Sequence, residues 1–308
     1  MDNRIQTPVI DIGALDRGGH DAARVKEAVR RALTESGFMY ITGHGIDPTT
    51  VSGAFASARR FFELPRATKD RFGYGSVADN FGFQGIEVES LDPTGVPDLK
   101  EAFTMRNALA VAAQTARWPH AEFRDSALAF YEAALSAAHR IMRILAACLA
   151  LPDEFFADRH GGENVTLRFL HYPANLRVKS SGQLGAGAHT DYGSITLLFQ
   201  DEVGGLELRD VNGEWQLAPP VPDAVLINTG DLMERWTNGR FKSTVHRVRP
   251  ITGNRDRYSM ALFVDPDAAV EIDCIPSCMD AERPGRYPRT TAGEHIRQKI
   301  AATHLRHG

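Results

Sequence analysis

Two segments of the chain carry side chains that could bind a metal ion. His189, Thr190 and Asp191 precede an apolar stretch that predicts a strand, and in extended backbone residues two apart point to the same side. One imidazole and one carboxylate would then face a common point. A third ligand would complete a 2-His-1-carboxylate face, which leaves three coordination positions open, and His246 is the candidate for it.

The two segments that carry the candidate ligands are far apart in the sequence. His246 follows Asp191 by 55 positions, so only a fold that pairs distant strands can bring the two together. A His-x-Asp triplet also arises by chance in a surface turn, and a single strand histidine is more often a core residue. The metal assignment therefore depends on the rest of the pattern.

A second pair of residues could bind an organic anion. Arg257 and Ser259 lie two apart on a predicted strand and share a face. A guanidinium can hold a carboxylate through two parallel hydrogen bonds, and the hydroxyl supplies a third donor. This suits the distal carboxylate of a 2-oxoacid that chelates the metal with its other end. The alternative is a solvated arginine run, since Arg247, Arg249 and Arg255 lie nearby.

The elements that must position these residues change character along the chain. The first half predicts two short strands, three amphipathic helices and one long loop, in the order strand Val9–Ile12, a helix through Val25 and Leu33, strand Phe38–Ile41, helix Val51–Phe62, loop 73–98 and helix Arg124–Leu149. A last helix is predicted near Ala292–His304. The long helix carries one apolar face and is expected to be the scaffold of the fold.

Strand-like stretches replace helices after Pro152. Seven are predicted: Val165–Tyr172, Ser194–Gln200, Leu206–Arg209, Glu214–Leu217, Ala224–Asn228, Ser243–Val248 and Arg257–Val264. Asn212-Gly213 between two of them is typical of a hairpin turn. Short strands separated by Gly, Pro and Asn turns predict a sandwich or jelly roll rather than a parallel α/β sheet.

Composition narrows the possible partners and location. A formal charge of -4 and a pI near 6.3 leave no basic excess for nucleic acid, so a small molecule is the expected partner. Three cysteines and an N-terminus without a charged-then-apolar run predict reduced thiols in the cytoplasm. The longest apolar stretch, Ile141–Leu151, is shorter than the roughly 20 residues of a membrane span. The oligomeric state is not readable from these features.

Several motifs in order resemble the isopenicillin N synthase-like family of iron(II), 2-oxoglutarate-dependent oxygenases. In the second half they are His189–Leu198, Gly204–Leu206, Asn228–Asp231, Arg235–Gly239, Lys242–Val248 and Arg257–Ser259. In the first half they are Pro8–Asp11, Ser36–Phe38, Gly43–Ile46 and Phe61–Phe62. The resemblance runs from about residue 7 to residue 280.

The resemblance implies a mainly β fold with flanking α-helices. The core is expected to be a double-stranded β-helix, or jelly roll, with an N-terminal helical region. Residues 1–120 are expected to form the N-terminal region, and residues 121–308 the oxygenase domain with its scaffold helix, the two packed as one unit.

The resemblance also implies roles for individual residues. Iron(II) is expected to bind three ligands: His189, Asp191 and His246. Arg257 and Ser259 are expected to bind 2-oxoglutarate, and Tyr172 matches a family tyrosine that often hydrogen-bonds it. Leu170 stands where many plant members carry Asn, and Arg168 on the same strand face is a candidate to replace that contact.

The function implied is an iron(II)- and 2-oxoglutarate-dependent dioxygenase. It would use O2 to oxidise a small-molecule metabolite, first of all by hydroxylation, and release succinate and CO2. Desaturation and cyclisation are other outcomes, and pocket residues are expected from 80–84, from 100–103 and from the C-terminal part. Three alternatives stay open: an iron oxidase that uses no oxoacid, a non-catalytic jelly-roll binding protein or sensor, and a zinc hydrolase that would leave Arg257 and Ser259 without a task.

Overall fold

The computed structural model describes residues 7–76, 78–92, 96–179 and 182–304. Six α-helices lie in these ranges: α1 Gly19–Glu35, α2 Pro48–Phe62, α3 Arg66–Lys69, α4 Ala121–Cys148, α5 Asp231–Trp236 and α6 Ala292–His304. The same ranges hold 14 strands: β1 Val9–Asp11, β2 Phe38–Thr42, β3 Phe81–Gln84, β4 Glu101–Arg106, β5 Val165–Tyr172, β6 Ala186–His189, β7 Ile195–Gln200, β8 Leu206–Arg209, β9 Trp215–Leu217, β10 Val225–Thr229, β11 His246–Val248, β12 Arg257–Val264, β13 Glu271–Ile272 and β14 Thr290–Thr291.

Two sheets build the core and confirm the predicted jelly roll. The major sheet has eight strands in the order β1-β2-β10-β7-β12-β5-β4-β3, and the minor sheet has four in the order β6-β11-β8-β9. All neighbours in both sheets are antiparallel except β1 and β2, which are parallel. Strands that are far apart in the sequence therefore lie next to each other in both sheets.

The outer face of the major sheet packs against helices. The long helix α4 begins after His120, whose ring accepts a hydrogen bond from the Phe123 backbone amide, and it packs against α1 and α2. Its fully buried side chains include Phe123, Phe130 and Ile141. The large apolar core lies between these helices and the outer face of the major sheet and holds the two together.

The inner face of the major sheet is more polar, and strand β5 shows why. Its alternate residues Leu167 and Phe169 join the helical core, whereas Arg168, Leu170 and Tyr172 line a cavity between the two sheets. Side chains that alternate along this one strand thus point in turn to the apolar core and to the cavity. The cavity has a volume of about 560 Å³.

Most predicted elements are found, and five strands were not predicted: β3, β4, β6, β13 and β14. Strands β5, β8 and β12 have the predicted bounds, but β11 covers only the last three residues of its predicted stretch. The predicted loop 73–98 contains β3. Gly82 was interpreted as a turn residue, but it lies inside this strand with a φ of 120°. Strands β4 and β6 were also missed, because Ala186–His189 is built of small residues without β-branching.

The first 120 residues supply strands to the same major sheet as the rest of the chain, since β2 pairs with β10 and β4 pairs with β5. The boundary near residue 120 stays a prediction. Cys148, Cys274 and Cys278 are free thiols, and the last two are buried. Among the described residues, no helix combines the length and the apolar character needed to cross a membrane.

Candidate active site

The three residues predicted to bind metal meet at the edge of the minor sheet. His189 ends β6 and His246 begins β11, and these two residues pair directly across the antiparallel strands. Asp191 follows in the loop to β7. The Oδ1 atom of Asp191 lies 3.8 Å from Nε2 of His189 and 3.7 Å from Nε2 of His246. The fold therefore brings together the predicted set.

Backbone carbonyls orient both imidazoles. Nδ1 of His189 lies 2.7 Å from the carbonyl oxygen of Gly187, and Nδ1 of His246 lies 3.1 Å from that of Thr244. A hydrogen bond from Nδ1 to a carbonyl places the ring proton there and leaves the Nε2 lone pair free. Both lone pairs then face Asp191.

The carboxylate of Asp191 is divided between two tasks. Its Oδ2 accepts hydrogen bonds from Thr196 Oγ1 at 2.5 Å and from Asn228 Nδ2 at 2.6 Å. Among the described residues no donor is bonded to Oδ1, the atom that faces the two histidines. Thr196 and Asn228 thus hold the carboxylate so that one oxygen stays available.

The loop that carries Asp191 is fixed by the start of α5. The backbone amide of Asp231 donates to the carbonyl of Asp191 at 2.8 Å, and the amide of Gly230 donates to Ser194 at 3.0 Å. A Cβ at Gly230 would lie 2.5 Å from the carbonyl oxygen of Gly193, so the two segments approach this closely only because residue 230 has no side chain.

Electrostatics favour the protonation states that bind metal. Burial lowers the pKa of His189 to about 4, with the neighbouring His246 acting in the same direction. Burial by itself raises the pKa of Asp191, but the two histidines and the hydrogen bonds from Asn228 and Thr196 outweigh it and hold that pKa below its usual value. At neutral pH these are a neutral imidazole and an ionised carboxylate.

The donor set fits a divalent transition metal. Two imidazole nitrogens and one carboxylate oxygen on a single face leave three coordination positions open towards the cavity, which is the arrangement that non-haem iron(II) oxygenases use. A closed structural zinc site would instead require a fourth protein ligand, and no fourth histidine, cysteine or carboxylate joins this group among the described residues.

Arg257 lies in the same cavity and has no anionic partner among the described residues. Its side chain is 1% exposed, and its guanidinium donates to Ser259 Oγ at 3.1 Å and to Gln200 Oε1 at 3.0 Å, both neutral groups. The ring of Tyr172 lies 4.6 Å from the guanidinium carbon. In the described part of the chain no carboxylate pairs with Arg257, and its Nε has no hydrogen-bond partner. Because a buried charge without a counter-ion is unfavourable, this guanidinium is suited to bind an anionic ligand.

Next to Arg257 on the major sheet, a second part of the cavity wall holds cations that are already neutralised. Lys100 Nζ lies 2.9 Å from Glu89 Oε2 and also pairs with Asp98. Nη2 of Arg168 lies 2.9 Å from the same Glu89 oxygen. The two cations lower the pKa of Glu89 well below its usual value in spite of burial, which alone would raise it. Arg168 therefore has its counter-ion within the protein, which weakens the hypothesis that it replaces an oxoacid contact.

Sequence reasoning named part of this wall. Asn80, Gln84 and Lys100, from the segments expected to supply pocket residues, do line the cavity. The pairing of Lys100 with Glu89 was not predicted. Three residues at the far end of the cavity were not predicted as site residues either: Arg106, Asn164 and Asp265. The alternation along β5 and β12 was the signal available, because residue 265 continues the face of Arg257 and Ser259.

Comparisons with known proteins agree with this geometry. Residues 163–266 match the 2OG-Fe(II) oxygenase superfamily, and residues 7–122 match the N-terminal region described as non-haem dioxygenase in morphine synthesis. The 2-oxoglutarate-dependent dioxygenase citB of Monascus ruber is 38% identical, with 96% of this chain and 95% of that protein covered. The 2-oxoglutarate-Fe(II) type oxidoreductase hxnY of Emericella nidulans is 32% identical over 94% of this chain and 88% of that protein.

Solved structures lead to the same family. Full-length T7H of Neurospora crassa in complex with alpha-ketoglutarate, another name for 2-oxoglutarate, and thymine is 30% identical, with a TM-score of 0.87 over 98% of each chain. The dioxygenase for auxin oxidation in rice is 28% identical, with a TM-score of 0.80 over 96% of each chain. The chain therefore belongs to the 2OG-Fe(II) oxygenase superfamily and is an iron(II)- and 2-oxoglutarate-dependent dioxygenase.

Proposed function

We propose that the enzyme holds iron(II) with His189, Asp191 and His246 and oxidises a small-molecule substrate in the cavity beside them. Arg257 and Ser259 bind the distal carboxylate of 2-oxoglutarate, and the ring of Tyr172 borders that carboxylate. The observation that carries this proposal is the buried guanidinium of Arg257, which has hydrogen-bond partners but no counter-ion among the described residues.

The residues of the chain divide the work of the reaction. When bound, iron(II) supplies a centre for O2 activation, at which 2-oxoglutarate becomes succinate and CO2 and a C–H bond of the substrate is oxidised. Asn228 and Thr196 bind Oδ2 of Asp191 and so leave Oδ1 facing the two histidines, where it would help to hold the ion. Apolar side chains on the cavity wall, including Phe38 and Leu198, exclude water from the oxidising centre.

A small substrate is supported by the size of the cavity and by the relatives. The cavity of about 560 Å³ must also admit 2-oxoglutarate, which leaves room for a compact molecule. A Neurospora crassa relative was crystallised with thymine and with 5-formyluracil, and a further relative with JA. We propose hydroxylation as the first outcome to examine.

The test measures metal content and succinate release together. Purified protein is loaded with iron(II) under nitrogen, and each of His189→Ala, Asp191→Ala and His246→Ala is expected to lose the ion, since two protein ligands hold a divalent metal poorly. Oxygen uptake and succinate formation by wild type should require 2-oxoglutarate. Iron retained by all three variants would refute the ligand assignment, and oxygen uptake with substrate but without 2-oxoglutarate would indicate an oxidase.

A further inference from the structure

The cavity has a second polar end, far from Arg257. Alternate residues of β12 face the cavity from Arg257 through Ala261 and Phe263, and Asp265 continues this series just beyond the strand. At about 3.3 Å per residue, the seven steps from residue 257 to residue 264 span roughly 23 Å. The oxoacid at Arg257 cannot reach that end, so its polar groups serve another part of the site.

Arg106 supplies hydrogen-bond donors at this end. It is the last residue of β4 and pairs with Thr166 on β5, so its side chain is directed to the cavity. Nη2 of Arg106 donates to Oδ1 of Asn164, whose Nδ2 donates in turn to the carbonyl of Pro266 at 2.8 Å. Among the described residues no carboxylate lies within ion-pair distance of this guanidinium. Asn164 thus orients a cation that keeps free donors.

Asp265 supplies an acceptor beside it. Its carboxyl receives a hydrogen bond from the backbone amide of Ser194 and lies against the loop of Asp191. A Cβ at Gly193 would lie only 1.4 Å from Oδ1 of Asp265, so the carboxyl occupies space that exists only because residue 193 is glycine. Asp265 is partly exposed to the cavity and is neither a metal ligand nor an ion-pair partner within 4 Å in the described chain.

The other charged groups of the cavity already have assignments. Glu89 and Asp98 neutralise Lys100 and Arg168. Arg257 is assigned to the oxoacid under the function proposed above. Among the described residues that line the cavity, Arg106 and Asp265 remain, one donor and one acceptor close enough to interact electrostatically, and Phe263 lies on the same strand face one step nearer Arg257.

Resting on that proposed function, we propose that Arg106 and Asp265 form the substrate-recognition subsite, and that it binds the amide edge of a planar, neutral cyclic amide or imide. The substrate carbonyl accepts from Arg106 and the adjacent N–H donates to Asp265. The ring of Phe263 offers an aromatic surface for a planar heterocycle. A carboxylate substrate fits less well, because it has no N–H to donate and leaves the acceptor oxygen of Asp265 without a donor.

Three probes of similar size test this assignment. Uracil carries the N–H and C=O edge, 1,3-dimethyluracil lacks the N–H groups, and benzoate carries a carboxylate. Binding is measured by calorimetry under nitrogen on protein loaded with iron(II) and 2-oxoglutarate, so that no turnover occurs. Uracil should bind at least tenfold more tightly than either of the other probes.

Variants then locate the binding. Arg106→Leu and Asp265→Asn should each weaken uracil binding tenfold to a hundredfold while 2-oxoglutarate binding stays at the wild-type value. Asparagine at 265 keeps an acceptor for the Ser194 amide, and Arg106→Leu decides the question if Asp265→Asn disturbs the metal loop. Arg60→Leu and Asp158→Asn, both exposed, are the matched controls and should change nothing.

The outcomes separate this inference from the proposed function. Wild type that fails to bind 2-oxoglutarate would overturn the proposed function. Wild type that binds 2-oxoglutarate but prefers benzoate or 1,3-dimethyluracil to uracil would overturn only the subsite. Unchanged uracil affinity in Arg106→Leu would do the same.

Discussion

Two walls of one cavity handle buried charge in opposite ways. The wall around Glu89 neutralises Lys100 and Arg168 within the protein, with separations of 2.9 Å to the shared Glu89 oxygen. The wall around Arg257 surrounds its cation with a hydroxyl, an amide and an aromatic ring, none of which carries a negative charge. Because burying an uncompensated charge is unfavourable, the second wall is complete only with an anionic ligand. An unpaired buried cation, rather than a cation as such, marks the binding site.

The largest effect is expected from breaking the neutralised wall. Glu89→Gln keeps the shape but leaves Lys100 and Arg168 facing each other without their shared counter-ion, and we expect a loss of about 3 kcal/mol in the free energy of unfolding. Urea denaturation at pH 7 measures it, with exposed Glu63→Gln as the control. A loss no greater than that of the control would show that the pairing contributes little.

This prediction has a pH dependence of known sign. The pKa of Glu89 is lower in the folded protein than its usual value of 4.5, so the folded state favours the ionised form. Its stabilisation is therefore fully present above about pH 4.5 and is lost as the pH falls towards the folded pKa. Wild type should lose its advantage over Glu89→Gln in acid.

A smaller effect is expected behind the metal site. Asn228→Ala removes one of the two donors that hold Oδ2 of Asp191, so the carboxylate can rotate away from the ion. We expect iron(II) affinity to fall by about tenfold to a hundredfold, as for other residues that orient a metal ligand. Competition with a chelator measures it, and exposed Asn254→Ala is the matched control. Equal affinities of the two variants would remove Asn228 from the site.

The smallest expected effect is an unchanged or higher free energy of unfolding, rather than a lower one. Arg257→Met replaces an unpaired buried cation by an apolar side chain of similar length, so the protein without ligands should be as stable as wild type or more stable by up to about 1 kcal/mol. The same denaturation experiment measures it. A loss comparable to that of Glu89→Gln would mean that Arg257 is paired in solution and would end the contrast between the two walls.

The sequence predicted one wall much better than the other, for a physical reason. His189 and Asp191 lie two apart in the sequence, and so do Arg257 and Ser259. The strand periodicity expected at each place predicts that the two members of a pair share one face. The motif around Asn228 was recognised, yet its hydrogen bond to Asp191 connects residues 37 positions apart and had no local signal. The pairing of Lys100 with Glu89 depends on how β4 and the preceding loop pack, and β4 itself was not predicted.

The dissociation constant of 2-oxoglutarate in two arginine variants tests the central claim most directly. Arg257→Met and Arg168→Met each remove one buried guanidinium from the same cavity, and both are loaded with iron(II) under nitrogen before titration. The account predicts that Arg257→Met binds 2-oxoglutarate about a hundredfold more weakly, since a charge-assisted contact in a buried site is lost. Arg168→Met should stay within a few-fold of wild type. Tight binding by Arg257→Met together with weak binding by Arg168→Met would contradict the account, because the neutralised wall would then hold the oxoacid.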